Sequence, residues 1–395
     1  MTVSDSIVIV SAARTPIGWF QGNFSTIETP FLGATAIRAA VTRAGVDPAL
    51  IDNVFMGCVL SAGLRQSPAR QAAHHGGLPF SSPTLNVNKL CGSGMMAMGM
   101  GYDALTAGSA NLLVAGGQEN MTNAPYLLKK ARSGYRLGHG EIYDHMFYDG
   151  LEDAYEPGQL MGNFAELTVK QYGFTREQQD DYAIQTLDRA RKAVESGAFT
   201  DEITPVTIKT RKGDVVISQD ENPLKADPQK IPTLRPAFGK DGTITPASSS
   251  GIADGAAALV MTRRTHAEKL GLPILATIRG YSVHAMAPRD FTIAPVPAME
   301  KLLKKVDWRV QDVDLFEVNE AFAVTAMVAQ KELNIPSERL NVNGGACALG
   351  HPIGATGARL VTTLIHALQA RGQHKGMASA CIGGGEAIAM AVELP

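Results

Sequence analysis

The chain has 395 residues, 45% of them hydrophobic, more than the roughly 250–300 residues at which one core stops growing, so two or more core units are expected. Lysine and arginine total 36 against 38 acidic residues, a formal charge of −2, and that balance excludes a general electrostatic attraction to nucleic acid or an anionic membrane. Met1–Ser6 carries no positive leader, no charge-free apolar run reaches the length of a membrane span, and the four cysteines (Cys58, Cys91, Cys347 and Cys381) lack paired spacing; a disulfide framework and a structural zinc site are disfavoured, and a reducing, cytoplasmic setting is expected.

In chain order, strand-like apolar runs alternate with amphipathic stretches at Ile7–Ser11, Leu32–Ala44, Val54–Val59, Met95–Ala107 and Leu112–Ala115. This rhythm predicts an α/β fold with parallel strands. From about residue 120 to 245 the chain turns to loops rich in Gly, Tyr, Asp and Pro around one long helix, Arg176–Ser196, as in an inserted, surface-covering domain. The rhythm resumes at Gly255–Met261 and continues through Leu275–Arg279, Leu315–Val318, Ala321–Lys331, Arg359–Ala370, Met377–Cys381 and Ala387–Val392. A faint internal echo relates Asp52–Met56 to Asp314–Val318, and Asn111–Gly117 to Gly376–Ala380. Two packed copies of one α/β unit explain it.

Cys91, in Asn88-Lys89-Leu90-Cys91-Gly92-Ser93-Gly94, precedes small residues that open a helix. Unpaired N–H groups and the positive end of the helix dipole favour thiolate there, which makes Cys91 the first candidate nucleophile. Cys381, before Ile382-Gly383-Gly384-Gly385, is the second candidate thiol. Asn319 lies where a strand ends and a helix begins, so its side chain either caps that helix or points into a cleft at the strand's carboxyl end. His351, followed by Pro352, suits a helix start and is either a structural hydrogen-bonder or a base beside the thiols. Cys347 and His351 are four apart, yet Gly350 and Pro352 interrupt any helix between them, so no metal is expected. The pattern Gly99-Met100-Gly101-Tyr102-Asp103-Ala104 falls inside a helical run and reads as helix packing rather than a dinucleotide site. Met95, Met96, Met98 and Met100 read as core or interface fillers.

Five segments together resemble the thiolase family along the whole chain: Val87–Gly94, Gly116–Met121, Asn319–Phe322, Gly350–Gly354 and Cys381–Gly385. The resemblance implies two similar βαβαβαββ halves in a five-layer αβαβα arrangement, residues 1–271 with the inserted loop domain and residues 272–395, assembled as a homodimer or homotetramer. It implies a ping-pong acyltransferase of fatty acid metabolism that uses coenzyme A and acyl-CoA as substrates and needs no metal or other cofactor. By family analogy Cys91 becomes S-acylated, Cys381 moves the α-proton, and His351 activates Cys91 and, with a water on Asn319, polarises the thioester oxygen. The N–H groups of Cys91 and Gly383 hold the oxyanion. Leu151, Met161, Phe238, Ser250, Ala321 and Phe322 match pocket positions.

Departures cluster at the substrate. Leu160-Met161-Gly162 stands where short-chain members show His-Met-Gly, Pro246–Gly251 replaces Ala-Gly-Asn-Ala-Ser-Gly, and Arg289–Pro295 replaces a Met-Gly-x-Gly-Pro stretch, with Phe291 the most consequential change. Lys225 is the sole substitute for an arginine near the nucleotide end. A pocket shaped differently from the acetoacetyl-specific one is expected. Two rival readings are a ketosynthase-like condensing enzyme, which pairs its cysteine with two histidines or a histidine and an asparagine, and a non-catalytic lipid carrier.

Overall fold

A computed structural model describes residues 5–395; the amino-terminal reading rests in part on residues 1–4, outside that range. The first-half strands are β1 (Ile7–Arg14), β2 (Asn53–Gly57), β3 (Thr84–Val87), β4 (Leu112–Asn120) and β5 (Ala253–Arg263). The second half supplies β6 (Ala276–Ala285), β7 (Leu315–Val318), β8 (Lys375–Ile382) and β9 (Glu386–Glu393). They join in the order β7-β8-β9-β6-β1-β5-β4-β2-β3, with a two-residue strand at Gly18–Trp19 attached to β5.

The pairing is symmetric about the β1–β6 contact. On one side β2 is parallel to β3 and β4, while β4, β5 and β1 alternate in direction. On the other, β7 is parallel to β8 and to a bridge at Leu340, while β8, β9 and β6 alternate. The sequence echo therefore marks equivalent strands, β2 with β7 and β4 with β8. The parallel strands expected from the rhythm form one part of a mixed sheet. Only strands joined by helical crossovers run parallel here; β8 and β9 are joined by Gly383–Gly385, where Gly384 and Gly385 take φ of 84° and 87°, and so short a turn reverses the chain.

Helices complete five layers. The outer face of the first half-sheet is covered by α1 (Thr29–Ala44) and α2 (Pro68–His75), through Leu32, Ile37 and Ala72 on Val54 and Val114. Between the half-sheets lie α3 (Ser93–Thr106) and, from the far end of the chain, a long helix at Ile353–Arg371; Met95, Met98, Leu360 and Leu364 pack there with Leu113 and Met390. Between β4 and β5 the inserted segment contributes α4 (Met161–Tyr172), α5 (Arg176–Glu195) and two small hairpins. The second half-sheet is covered by α6 (Pro295–Val306) and α7 (Ala323–Leu333), and the long central helix is α8. No helix among the described residues is long and apolar enough to cross a membrane.

The central layer places the chemistry. A Cβ on Gly94 of α3 would lie 2.8 Å from the Ala358 nitrogen of α8, and one on Gly57 would lie 2.5 Å from the Gly354 oxygen. Only glycine allows backbones so close. The two helix starts converge as a result, one preceded by Cys91 and the other by His351. Within α3, Gly99 and Gly101 pack on Tyr281 and Leu113, the helix-packing role expected of them.

Candidate active site

The Cys91 loop is held by its own side chains. Asn88 Oδ1 accepts from the Leu90 N–H at 3.1 Å, and Ser93 Oγ accepts from Lys89 N–H at 2.8 Å while donating to the Leu90 carbonyl at 2.7 Å. Leu90 sits at φ 46°, a left-handed conformation that a branched side chain adopts only when its surroundings enforce it. The residue before Cys91 is thus strained into place.

Three contacts press this loop against the Cys381 turn. A Cβ on Gly92 would collide with Ile382, and one on Gly383 would lie 3.3 Å from both Leu90 Cδ1 and Met161 Sδ. Lys89 pairs with Glu386 across the two loops. The N–H groups of Gly383 and of Cys91 itself consequently lie near the Cys91 sulfur. These donors pull the thiol toward ionisation, but burial is the larger effect and pushes Cys91 up to about 11. The resting thiolate expected from the helix start is therefore not the ground state; the thiol needs a base. Cys381 is held still higher, by burial first and by neighbouring Cys91 second, against a weaker opposing pull from the Thr325 hydroxyl.

His351, just before α8, is the buried imidazole of this region. His351 donates its backbone N–H to the Gly251 carbonyl at 2.9 Å, and its ring lies between Thr356 Oγ1, 2.6 Å from Nδ1, and Asn319 Nδ2, 3.5 Å from Nε2. Burial first, and the Arg359 guanidinium second, push the imidazole down to about 3, so the ring is neutral at physiological pH. Asn319 does not cap a helix: α7 starts later, with Phe322 at its N-cap. Its Oδ1 is buried and makes no hydrogen bond within the chain.

Glu119, within one of the segments that carry the family resemblance but not singled out as a site residue, ties the site together. Its carboxylate accepts from the N–H groups of Val59, Leu60 and Gly354 at 3.0, 3.1 and 2.9 Å, joining the loop after β2 to the first turn of α8. Burial nonetheless raises it to about 7. Glu320 does the same on the other flank, accepting from Tyr182 of α5 at 2.8 Å and from the Cys347 N–H at 3.1 Å. That anchors the inserted segment over the strand ends.

Leu151, Met161, Phe238, Ser250, Ala321 and Phe322 all line one cavity of about 190 Å³, and His351 lines it too. Ser250 N–H donates to the Ala321 carbonyl at 2.9 Å, which fixes one wall. Leu160, Met121 and Phe147 complete the apolar lining. Met161 also borders a second cavity of about 440 Å³, with Leu90 and Gly383 in its wall. Phe291 is not brought into either. It is buried behind Phe322, edge-on at 6.2 Å between ring centroids, so it reaches the cavity only through that ring. Lys225 is paired with Glu221 at 2.8 Å on an exposed loop.

The chain matches the family models "Thiolase, N-terminal domain" over residues 7–265 and "Thiolase, C-terminal domain" over residues 272–394. It is 50% identical over 388 residues to an acetyl-CoA acetyltransferase of Escherichia coli (strain K12), covering 98% of both chains. The crystal structure of the Bacillus anthracis acetyl-CoA acetyltransferase superposes with a TM-score of 0.97 at 42% identity over 100% of both chains. Acat5 thiolase from Ascaris suum, solved in complex with coenzyme A, gives 0.94 at 40% identity, covering 99% of this chain and 100% of that one. With paired cysteine loops, a neutral buried histidine and both halves of the family model in place, the chain belongs to the thiolase family.

Proposed function

We propose that this protein is an acetyl-CoA C-acyltransferase that cleaves 3-oxoacyl-CoA with coenzyme A, and runs the reverse Claisen condensation, through an S-acyl-Cys91 intermediate. The observation that carries the reading is the close packing of the Cys91 loop on the Cys381 turn, Gly92 against Ile382 and Gly383 against Leu90, which sets the second thiol beside the first. Cys91 gives its proton to His351 and attacks the 3-keto carbon, and the N–H groups of Cys91 and Gly383 hold the resulting oxyanion. The C–C bond breaks, its electron pair leaving as the enolate of acetyl-CoA, whose oxygen faces His351 and a water on Asn319. Cys381 protonates the enolate carbon. Coenzyme A then gives its proton to the Cys381 thiolate and takes the acyl group, and Cys91 recovers its proton from His351. Action as a cytoplasmic homodimer or homotetramer belongs to the same proposal.

An acyl-enzyme predicts a half-reaction. Labelled coenzyme A is expected to exchange into acetyl-CoA with no second acyl substrate present; a strict requirement for both substrates together would refute the covalent route.

The cavity lining supports a broader acyl preference than acetoacetyl. Apart from His351 it carries no ionisable side chain among the described residues, and Leu160, Phe238 and Phe322 face it. Each buried methylene is worth about 0.8 kcal/mol. In direct competition an eight-carbon 3-oxoacyl-CoA is expected to match or exceed the four-carbon one in kcat/KM. A strong four-carbon preference contradicts this.

A further inference from the structure

We propose that Thr356 is a positioning residue that fixes the proton of His351 on Nδ1 and thereby leaves Nε2 as the base for Cys91. The proposal rests on the reading of Cys91 as the acylated thiol. Thr356 lies in the first turn of α8, and its hydroxyl has a single proton to give. The Pro352 carbonyl is 2.9 Å from Oγ1, the usual acceptor for a helical threonine, and His351 Nδ1 is 2.6 Å away on the other side. With its proton on the carbonyl, Oγ1 accepts, so Nδ1 must carry N–H.

The opposite edge of the ring agrees with this assignment. The Asn319 carboxamide nitrogen faces Nε2 at 3.5 Å, and a lone pair there suits that donor. The tautomer assigned from these partners forms one directed chain, from Asn319 through the imidazole and Thr356 to the Pro352 carbonyl. Thr356 is buried with no exposed surface, so no water substitutes for its hydroxyl.

The charged neighbours make this hydroxyl matter. When Nε2 takes the Cys91 proton the ring becomes a cation, with Arg359 of α8 close enough to oppose it. Glu317 pairs with Arg359 at 3.3 Å, and the Glu119 carboxyl flanks Cys91, opposing its ionisation. Oγ1 is the acceptor that remains for the Nδ1–H of the cation. Without it a buried N–H loses its partner at the step in which Cys91 is activated.

The test compares Thr356→Val, Thr356→Ser and wild type in Cys91 alkylation by iodoacetamide across pH and in steady-state kinetics. Valine keeps the shape and removes the acceptor; alkylation near neutral pH and kcat are expected to fall about 10- to 100-fold, with the alkylation profile displaced to higher pH and KM within about threefold. Serine restores the hydroxyl and is expected within about threefold of wild type. A folded valine variant that alkylates and turns over at the wild-type rate overturns the proposal, as does a serine variant as slow as valine. Where valine does not fold, Thr356→Ala takes its place in the comparison with serine. Failure of wild type to acquire an acetyl group on Cys91 is a different result, and it counts against the acyl-cysteine reading instead.

Discussion

Replacing Cys91 by serine is expected to lower kcat about 10⁴-fold or more, with substrate affinity changed only a fewfold. A serine hydroxyl fits the same loop, since Asn88, Lys89 and Ser93 set the backbone without help from the sulfur. What it loses is acidity. The thiol is already raised to about 11 by burial, which outweighs the pull of two N–H donors; an alcohol is several units weaker still. The coenzyme A exchange half-reaction is expected to vanish together with turnover. A serine variant that retains a tenth of wild-type activity places the nucleophile elsewhere.

Cys381→Ala is expected to separate the two halves of the chemistry. Carbon–carbon bond formation and cleavage should fall about 10²- to 10⁴-fold, the usual contribution of a positioned acid or base. Exchange of coenzyme A into acetyl-CoA, which breaks no carbon–hydrogen bond, should stay within about tenfold, because a coenzyme A thiol can also lose its proton to solvent. Cys381 is buried and held protonated, by burial and by Cys91 beside it, which suits a group that donates to a carbanion and recovers its proton afterwards. Equal loss of both reactions in a folded variant would make this cysteine structural.

The strands and the nucleophile loop were legible because their signals are local. Apolar runs at Ile7, Leu112, Leu315 and Met377 are long enough to name strands. The glycines beside Cys91 and Cys381 mark turns whatever the rest of the chain does. Strand direction was not legible: it depends on whether a helix or the tight Gly383–Gly385 turn joins neighbours, and element rhythm does not record that. The helix at Pro295–Val306 is obscured by prolines at 295 and 297, which sit in its first turn and break nothing. Burial also reversed a local inference. Helix-start geometry favours a Cys91 thiolate, yet desolvation, a property of the assembled fold, outweighs it.

The cavity was legible only through the family resemblance, since Leu151, Phe238, Ser250 and Phe322 share no local pattern. Phe291 marks the limit of such transfer: its position is equivalent, but its ring lies behind Phe322 rather than in the wall. Glu119 acts through hydrogen bonds to distant chain segments, which nothing in its immediate sequence announces, and Thr356 meets His351 five residues away only because the chain turns into α8 between them.

Incubation of the wild-type protein with acetyl-CoA, followed by peptide mapping in a mass spectrometer, reads the central step without turnover. A single acetyl group on the Cys91 peptide, absent from Cys91→Ser, is the expected result. Acetylation of Cys58, Cys347, Cys381 or any other side chain in its place, or no covalent adduct in a catalytically active preparation, contradicts it.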